Sequence, residues 1–232
     1  MIRFSLFGVP VSVHPTLWVT LALLGGALGI TGLADLMSVL LFILAGFVCL
    51  LMHEMGHALV GRRLGGGHPE VYLAWLGGDC SNEDARLTRM QGVIMTAAGP
   101  AASLLLALIT VSVLCAYVGN VQLGLLIAIN FCLGYMPLEV YEAFPHLPMI
   151  FFMYMIEVAV WWTILNLLPI FPLDGGQIMH GLMRSPRQMH AISLAVACVL
   201  CAVCLVSGLW LMAIFMVLLA CLNHRCRSHA PY

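Results

Sequence analysis

The pentapeptide HEMGH, residues 53–57, stands inside an apolar run long enough to cross a membrane, and it constrains this chain more than any other feature. On a helix, His53 and His57 lie one turn apart on the same face, so both imidazoles can bind one metal ion. Glu54 can then act as a general base toward water. Ionisable side chains are costly inside a bilayer, and those found there usually serve a function. The pentapeptide therefore predicts a metal-dependent hydrolase whose site lies within the membrane.

The composition supports a membrane location for the whole chain. Charged residues make up 8% of the 232 residues and hydrophobic residues 62%, whereas soluble domains carry about 25% charged residues. A soluble domain of this length has too little interior to bury so much apolar surface, so the chain is expected to be a polytopic protein of the lipid bilayer. The net charge of -1 gives no indication of a nucleic-acid partner.

Apolar runs of about 20 residues mark the expected membrane crossings. They predict an all-α polytopic membrane protein, forming a single domain over 1–232, with six transmembrane helices and a short membrane-associated β-hairpin or strand loop. The loop is expected within 66–84, because the six apolar residues from Val71 to Leu76 are too few to span. The expected helices cover 16–33, 36–61, 90–117, 149–183, 189–206 and 209–222.

The arginines indicate the orientation. The chain has nine basic residues, all of them arginine, and with six crossings all nine fall on one side, which places both termini in the cytoplasm. A crossing by 121–136 would send one group of arginines outside, so the apolar segment 121–147 is expected to be a re-entrant or surface-lying excursion. His57 lies five residues before Arg62, so the histidine pair is expected roughly 7 to 14 Å below the cytoplasmic boundary.

A third metal ligand is expected in the segment NLLPIFPLDGG, residues 166–176. A catalytic zinc usually takes three protein ligands, and Asp174 lies at the same expected depth as HEMGH. Pro169 and Pro172 interrupt the helix because neither has a backbone N–H. A helix-capping aspartate is the alternative for Asp174. A buried amide that only satisfies its own broken turn is the alternative for Asn166.

Together these motifs resemble the site-2 protease family of intramembrane zinc metalloproteases. HEMGH is similar to the family's HExxH motif, residues 166–175 are closely similar to its NxxPxxxxLDG region, Ala98-Gly99-Pro100 to its GP motif, and His14-Pro15 to a motif before the first helix. With no PDZ domain between the motifs and no nucleotide-sensing CBS domain after them, the chain resembles a minimal member. The resemblance implies that His53, His57 and Asp174 bind Zn²⁺, that Glu54 is the catalytic base, and that Asn166 contacts the substrate or the oxyanion.

The resemblance also implies a substrate class. It predicts cleavage in or near the transmembrane segment of a membrane-anchored, single-span protein. This is the reaction of regulated intramembrane proteolysis. The small size without extra domains indicates a bacterial or archaeal cell membrane, and the arginine distribution predicts an active site that opens toward the cytoplasm. A substrate helix must be unwound before it can be cut, and an edge strand within 71–80 is expected to hold the unwound stretch by β-addition. Gly77 and Gly78 would allow its close approach.

Three other interpretations stay open at this point. A membrane transporter or metal-binding protein would also carry intramembrane His and Asp, but it gives Glu54 no role and predicts polar residues across the full membrane depth. A catalytically inactive homologue is disfavoured by the intact Glu54. A membrane zinc protease with a glutamate as third ligand on a later helix is the other enzyme class, and the LDGG segment disfavours it.

Overall fold

The computed structural model describes residues 1–75, 77–82, 84–135 and 137–229, except for the side chains of Tyr141 and His229. Helices dominate this part of the chain and four short strands form one sheet, which confirms the predicted helical membrane fold with a strand segment. The strands are β1 (Ile2–Leu6), β2 (Val9–Val13), β3 (Glu70–Ala74) and β4 (Gly77–Ser81). The helices are α1 (Pro15–Leu24), α2 (Leu33–Gly65), α3 (Arg89–Val118), α4 (Val121–Cys132), α5 (Leu138–Ala143), α6 (His146–Asn166), α7 (Asp174–Leu182), α8 (Pro186–Val206) and α9 (Trp210–His229).

The chain divides into two compact units. The first comprises Met1–Arg86 and Ala98–Thr163, so it contains the sheet, α1, α2, α4, α5 and most of α3 and α6. The second comprises Leu87–Ala97 and Ile164–Tyr232, which include α7, α8 and α9.

The sheet of the first unit has the strand order β1-β2-β3-β4. β1 and β2 are antiparallel and joined by Phe7 and Gly8, both at positive φ, as a two-residue hairpin turn requires. β2 and β3 are parallel, and β3 and β4 are antiparallel. The expected strand loop is therefore half of a larger sheet, while Leu76 of the expected strand lies outside the described residues. β1 and β2 were missed, although apolar and polar residues alternate from Val9 to Val13.

One buried face of the sheet packs on α2 and α1. Val9, Val11 and Val13 alternate with more exposed residues along β2, as one-sided burial of a strand requires. They join a cluster with residues of α1, β3 and α2, namely Leu17, Leu21, Leu50, Leu51, Met55, Ala58, Val71 and Leu73. The sheet thus fixes one side of α2 and leaves the histidines of HEMGH on another face.

Five helices in the described part of the chain are long and apolar enough to cross a membrane: α2, α3, α6, α8 and α9. The expected first crossing, 16–33, differs: α1 has ten residues, about 15 Å, which is half the thickness of a bilayer core. The physical reason is the pair Gly25 and Gly26. Gly25 is the C-cap of α1, and Gly26 has a φ of 89°, which ends a right-handed helix. The sequence contains enough apolar residues for a span, but these glycines divide them.

The apolar segment 121–147 forms the short helices α4 and α5, while Met136 lies outside the described residues. At 12 residues, or about 18 Å, α4 is too short to cross by itself. Its Ile127 and Phe131 are buried with Leu114 of α3 and Met149 and Ile156 of α6. The segment therefore contributes to the core of the first unit through one face of α4.

In the second unit, the loop after α6 turns the chain into α7, so the expected helix 149–183 is broken as the prolines predict. Ile170 of this loop is fully buried with Ala197 of α8 and with Met216 and Leu219 of α9. At the other end of α7, the guanidinium of Arg89 donates to the carbonyls of His180 and Met183, where the last carbonyls of a helix need donors.

Candidate metal centre

Two imidazole nitrogens from helix α2 lie close to each other. His53 and His57 are 2% and 7% exposed, and their Nε2 atoms lie 3.2 Å apart. Two nitrogens bound to a tetrahedral zinc at about 2.05 Å must lie roughly 3.3 Å apart. The two side chains therefore fit a shared metal ion. Glu54, between them in sequence, is 5% exposed.

Ser103 of α3 holds the first of these imidazoles. Its hydroxyl is fully buried and lies 3.0 Å from Nδ1 of His53. When Nδ1 carries the proton and donates it to Ser103, Nε2 keeps the lone pair that a metal requires. Trp162 lies edge-on to the same ring, with 6.3 Å between centroids, and limits its rotation.

Replacing Ser103 with alanine is expected to weaken zinc binding by about 10- to 100-fold, because His53 loses the partner that fixes its orientation and tautomer. Competition with a chromophoric chelator would measure the change. Ser112→Ala is the matched control on the same helix, since the Ser112 hydroxyl is exposed and donates to the carbonyl of Leu108. Equal zinc affinity in the Ser103 variant and the control would contradict the assigned role.

Small residues on α3 let its backbone approach α2. A Cβ added to Gly56 would overlap the carbonyl oxygen of Ala98, and a Cβ added to Gly99 would overlap Nε2 of His57. Only glycine leaves space at these two positions. The backbone of α3 at Ala98 and Gly99 therefore lies directly beside Gly56 and Nε2 of His57.

Strand β4 lies against the catalytic-base candidate. A Cβ added to Gly78 would lie 2.6 Å from Oε1 of Glu54, so any larger residue would collide with the carboxylate. Gly77 has more space, with the Trp162 ring 3.8 Å from its added Cβ. Burial, together with the carboxylates of Glu54 and Asp79, raises the pKa of the Cys80 thiol to about 12. Cys80 is therefore a neutral thiol at physiological pH, which makes it a poor metal ligand.

We expect Gly78→Ala to reduce peptide-bond cleavage by about 100-fold or more while zinc stays bound, because the new methyl group displaces the Glu54 carboxylate. Gly77→Ala is the matched comparison on the same strand, and its methyl group would make only ordinary contact with Trp162. We expect a clearly smaller loss there. Cleavage rates and zinc content of both purified variants would be measured. Equal losses of activity in the two variants would contradict the steric explanation.

Asp174 is the first residue of α7 and Asn166 the last residue of α6, and both are buried. Behind Asp174, added Cβ atoms on Gly175 and Gly176 would overlap backbone atoms of Leu167, Ile170 and Phe171. These glycines therefore let the first turn of α7 lie directly on the preceding loop. Asp174 therefore begins α7 at a position fixed by the preceding loop, with a buried carboxylate that is a candidate metal ligand.

Two contacts of the site were missed at the level of sequence. Ser103 follows the Gly99-Pro100 motif, and a hydroxyl four residues after a glycine on an apolar helix would have been a usable signal, since both lie on one helix face. The contact of Gly78 with Glu54 was not predicted either. It depends on how the sheet packs on α2, which no local pattern in the sequence specifies.

Comparisons with known proteins agree with these observations. Residues 41–207 match the model of Peptidase family M50. A curated protein of Synechocystis, named "Putative zinc metalloprotease", is 29% identical over 186 residues, which are 77% of this chain and 42% of that protein. The chain thus spans less than half of that relative's length. The solved structure titled site-2 protease from Methanocaldococcus jannaschii has a TM-score of 0.55 at 19% identity, covering 99% of this chain and 94% of that one. This likeness shows a shared fold, and the resemblance drawn from the motifs is confirmed.

Proposed function

Because the chain belongs to peptidase family M50, we propose that it is an intramembrane zinc metalloprotease that cleaves a peptide bond in or near a transmembrane segment of a membrane-anchored protein. One observation carries the proposal: two buried imidazole nitrogens lie 3.2 Å apart, next in sequence to a buried glutamate. The nitrogens suit one metal ion. Glu54 supplies a general base, for which a transporter or metal-binding protein has no need.

In this proposal His53, His57 and Asp174 are the zinc ligands. Imidazole nitrogen and carboxylate oxygen are both common zinc ligands, and three protein ligands leave one position open. A zinc ion bound there supplies a Lewis acid that polarises the scissile carbonyl and lowers the pKa of water to about 7. Ser103 keeps His53 in the required tautomer through its 3.0 Å hydrogen bond.

Glu54 and Asn166 carry the proton transfer and the charge stabilisation. Glu54 accepts a proton from the attacking water as the water oxygen bonds to the scissile carbonyl carbon. It then delivers this proton to the amide nitrogen as the C–N bond breaks, and the second water proton follows to the amine, leaving a carboxylate and an ammonium group. Asn166 donates its amide hydrogen to the carbonyl oxygen while that oxygen is negatively charged. Burial of both side chains strengthens these interactions because the local dielectric is low.

The substrate is proposed to bind as an added strand on β4. β4 is an edge strand of the sheet in the described part of the chain, so its second edge can pair with an extended peptide. Gly78 lies against Glu54, so a peptide held at this edge would pass the catalytic base. Gly77 and Gly78 present no side chain that would keep the peptide at a distance. The pairing also satisfies the backbone of an unwound transmembrane helix, which would be costly to expose in the membrane.

The proposed substrate class is a single-span membrane protein, cut by regulated intramembrane proteolysis. A single apolar helix can reach a submerged site laterally, whereas a folded domain cannot. The arginine distribution supports a site that opens toward the cytoplasm. The membrane is proposed to be that of a bacterial or archaeal cell.

Metal analysis of the purified protein beside Asp174→Ala tests the ligand set. We expect about one zinc per wild-type chain and a loss of zinc in the variant, since two histidines alone form an incomplete site. Cleavage of a single-span model substrate in proteoliposomes should require zinc and be absent in Asp174→Ala. Zinc retained without Asp174 would overturn the ligand set. A zinc-loaded wild type that cuts none of a panel of single-span substrates would favour a metal-binding role instead.

A further inference from the structure

The loop 167–173, between α6 and α7, delivers Asp174 to its position, and its backbone polar groups need partners. At membrane depth no bulk water can satisfy them, and each unsatisfied group costs several kcal/mol. Pro169 and Pro172 have no N–H and disrupt the regular helical pattern. The hydrogen bonds of this loop therefore decide whether it has one conformation or several.

Part of the loop satisfies itself through tight turns. The N–H of Leu168 donates to the carbonyl of Leu165. The N–H of Ile170 donates to the carbonyl of Leu168 at 2.7 Å, and the N–H of Leu173 to the carbonyl of Ile170 at 2.8 Å. The side-chain amide of Gln177 on α7 donates to the carbonyl of Pro172 at 2.9 Å. Three further backbone groups of the loop are the carbonyl of Pro169 and the N–H and carbonyl of Phe171.

These three groups bind side chains from α8 and α9. The Ser193 hydroxyl accepts from the N–H of Phe171 at 3.1 Å and donates to the carbonyl of Pro169 at 3.2 Å. The Asn223 amide donates to the carbonyl of Phe171 at 2.6 Å. Ser193 and Asn223 are both fully buried. Two polar side chains from two apolar helices thus satisfy three backbone groups of the loop.

His190 orients Asn223. The Asn223 amide nitrogen donates to two carbonyls, of Phe171 and Leu219, so its Oδ1 is the group that faces Nδ1 of His190 at 2.9 Å. Nδ1 of His190 must therefore be the donor in this contact. The ring of His190 also lies edge-on to the ring of Phe171, with 5.5 Å between centroids. We call Ser193, His190 and Asn223 the loop clamp.

The loop clamp acts on Asp174 through a short and rigid path. Phe171 is three residues before Asp174, and the first turn of α7 lies on the backbone of Ile170 and Phe171 because Gly176 has no Cβ. A shift of the Phe171 backbone would therefore move Asp174 with it. No member of the clamp is one of the proposed zinc ligands.

We propose that Ser193, His190 and Asn223 are positioning residues that set the affinity and geometry of the metal centre by fixing the loop that carries Asp174. The inference rests on the proposed function, in which Asp174 is a zinc ligand. Outer-shell partners of metal ligands typically contribute 10- to 100-fold in affinity. Here the clamp acts on zinc affinity by fixing the backbone of the loop, without direct contact with the side chain of Asp174.

Zinc affinity by chelator competition and the visible absorption of the Co²⁺-substituted protein test the clamp. Ser193→Ala removes one hydroxyl, and Asn223→Asp keeps the shape while replacing the donor by a carboxylate. We expect about 10- to 100-fold weaker zinc binding and a changed Co²⁺ ligand-field spectrum in both. Cys201→Ala is the matched control, because Cys201 also links α8 to α9, with its thiol directed to the carbonyl of Ala213, but is not bonded to the loop. The control should retain wild-type affinity and spectrum.

The outcomes are distinguishable. Should Asn223→Asp fail to fold, Ser193→Ala, the milder change, decides. Wild-type affinity and spectrum in a folded clamp variant would overturn the inference, as would an equal loss in Cys201→Ala. Asp174→Ala, measured in parallel, distinguishes a failure of the proposed ligand set from a failure of the loop clamp. If that variant keeps its zinc, the proposed ligand set fails; if it loses zinc while the clamp variants do not, only the clamp fails.

Discussion

Replacing Glu54 with glutamine is expected to reduce peptide-bond cleavage by about 10²- to 10⁴-fold, the usual contribution of a general base, while zinc remains bound. Glutamine has the same shape, so it fits against Gly78 without a new collision. It has no charge at neutral pH and cannot accept the proton of the attacking water. The imidazoles of His53 and His57 keep their positions on α2, so the metal centre should keep its affinity.

The measurement combines cleavage rates in proteoliposomes with zinc content of the same preparation. Wild-type protein stripped of zinc by a chelator provides the comparison, because it should lose activity and recover it when zinc is returned. The cleavage activity of the Glu54→Gln variant should not be restored at any zinc concentration. Cleavage at a wild-type rate by Glu54→Gln would show that another group acts as the base and would overturn the proposed mechanism.

Replacing Gly99 with alanine is expected to weaken zinc binding by about 100-fold or more and to abolish activity with it. The added methyl group would occupy the space of Nε2 of His57, the atom proposed to bind the metal. Withdrawal of the α3 backbone to make space would lose the close packing of Ala98 on Gly56 of α2. The variant therefore disturbs the metal centre without removing any ligand.

Gly92→Ala on the same helix is the matched control for Gly99→Ala, since nothing lies within 4 Å of its added Cβ. It makes the same gain in helix propensity, so any difference between the variants reflects the contact with His57. Zinc affinity and helical content by circular dichroism would be compared. Wild-type zinc affinity in a folded Gly99→Ala protein would contradict the close approach of Gly99 to Nε2 of His57.

The parts of this protein that the sequence predicted are those governed by local patterns. HEMGH predicts a helix with two candidate metal ligands on one face, because ligand spacing and helix periodicity are both local properties. Pro169 and Pro172 likewise predict a broken helix from their own chemistry. The loop clamp could not be predicted, because Ser193 and Asn223 are ordinary polar residues on apolar helices until packing brings them to the loop.

The expected first crossing and the sheet also show what local sequence patterns do not predict. Apolar length predicted a span over 16–33, and that prediction took no account of the helix-ending effect of Gly25 and Gly26. The strands β1 and β2 are short, and β2 gains its partner β3 only through a long-range parallel pairing. Pairings between residues distant in sequence leave no local periodicity that specifies them.

The parallel pairing of β2 with β3 also has a consequence for biosynthesis. Val11 pairs with Val71, and both α1 and α2 lie between them in the chain. Translation proceeds at about 5–20 residues per second, so β3 is synthesised several seconds after β2. The HEMGH helix is therefore synthesised before the sheet that is proposed to hold substrate beside it. A nascent chain stopped at that stage has two of the proposed metal ligands but no strand on which to present a peptide. The proposed peptidase activity therefore requires segments that are synthesised later.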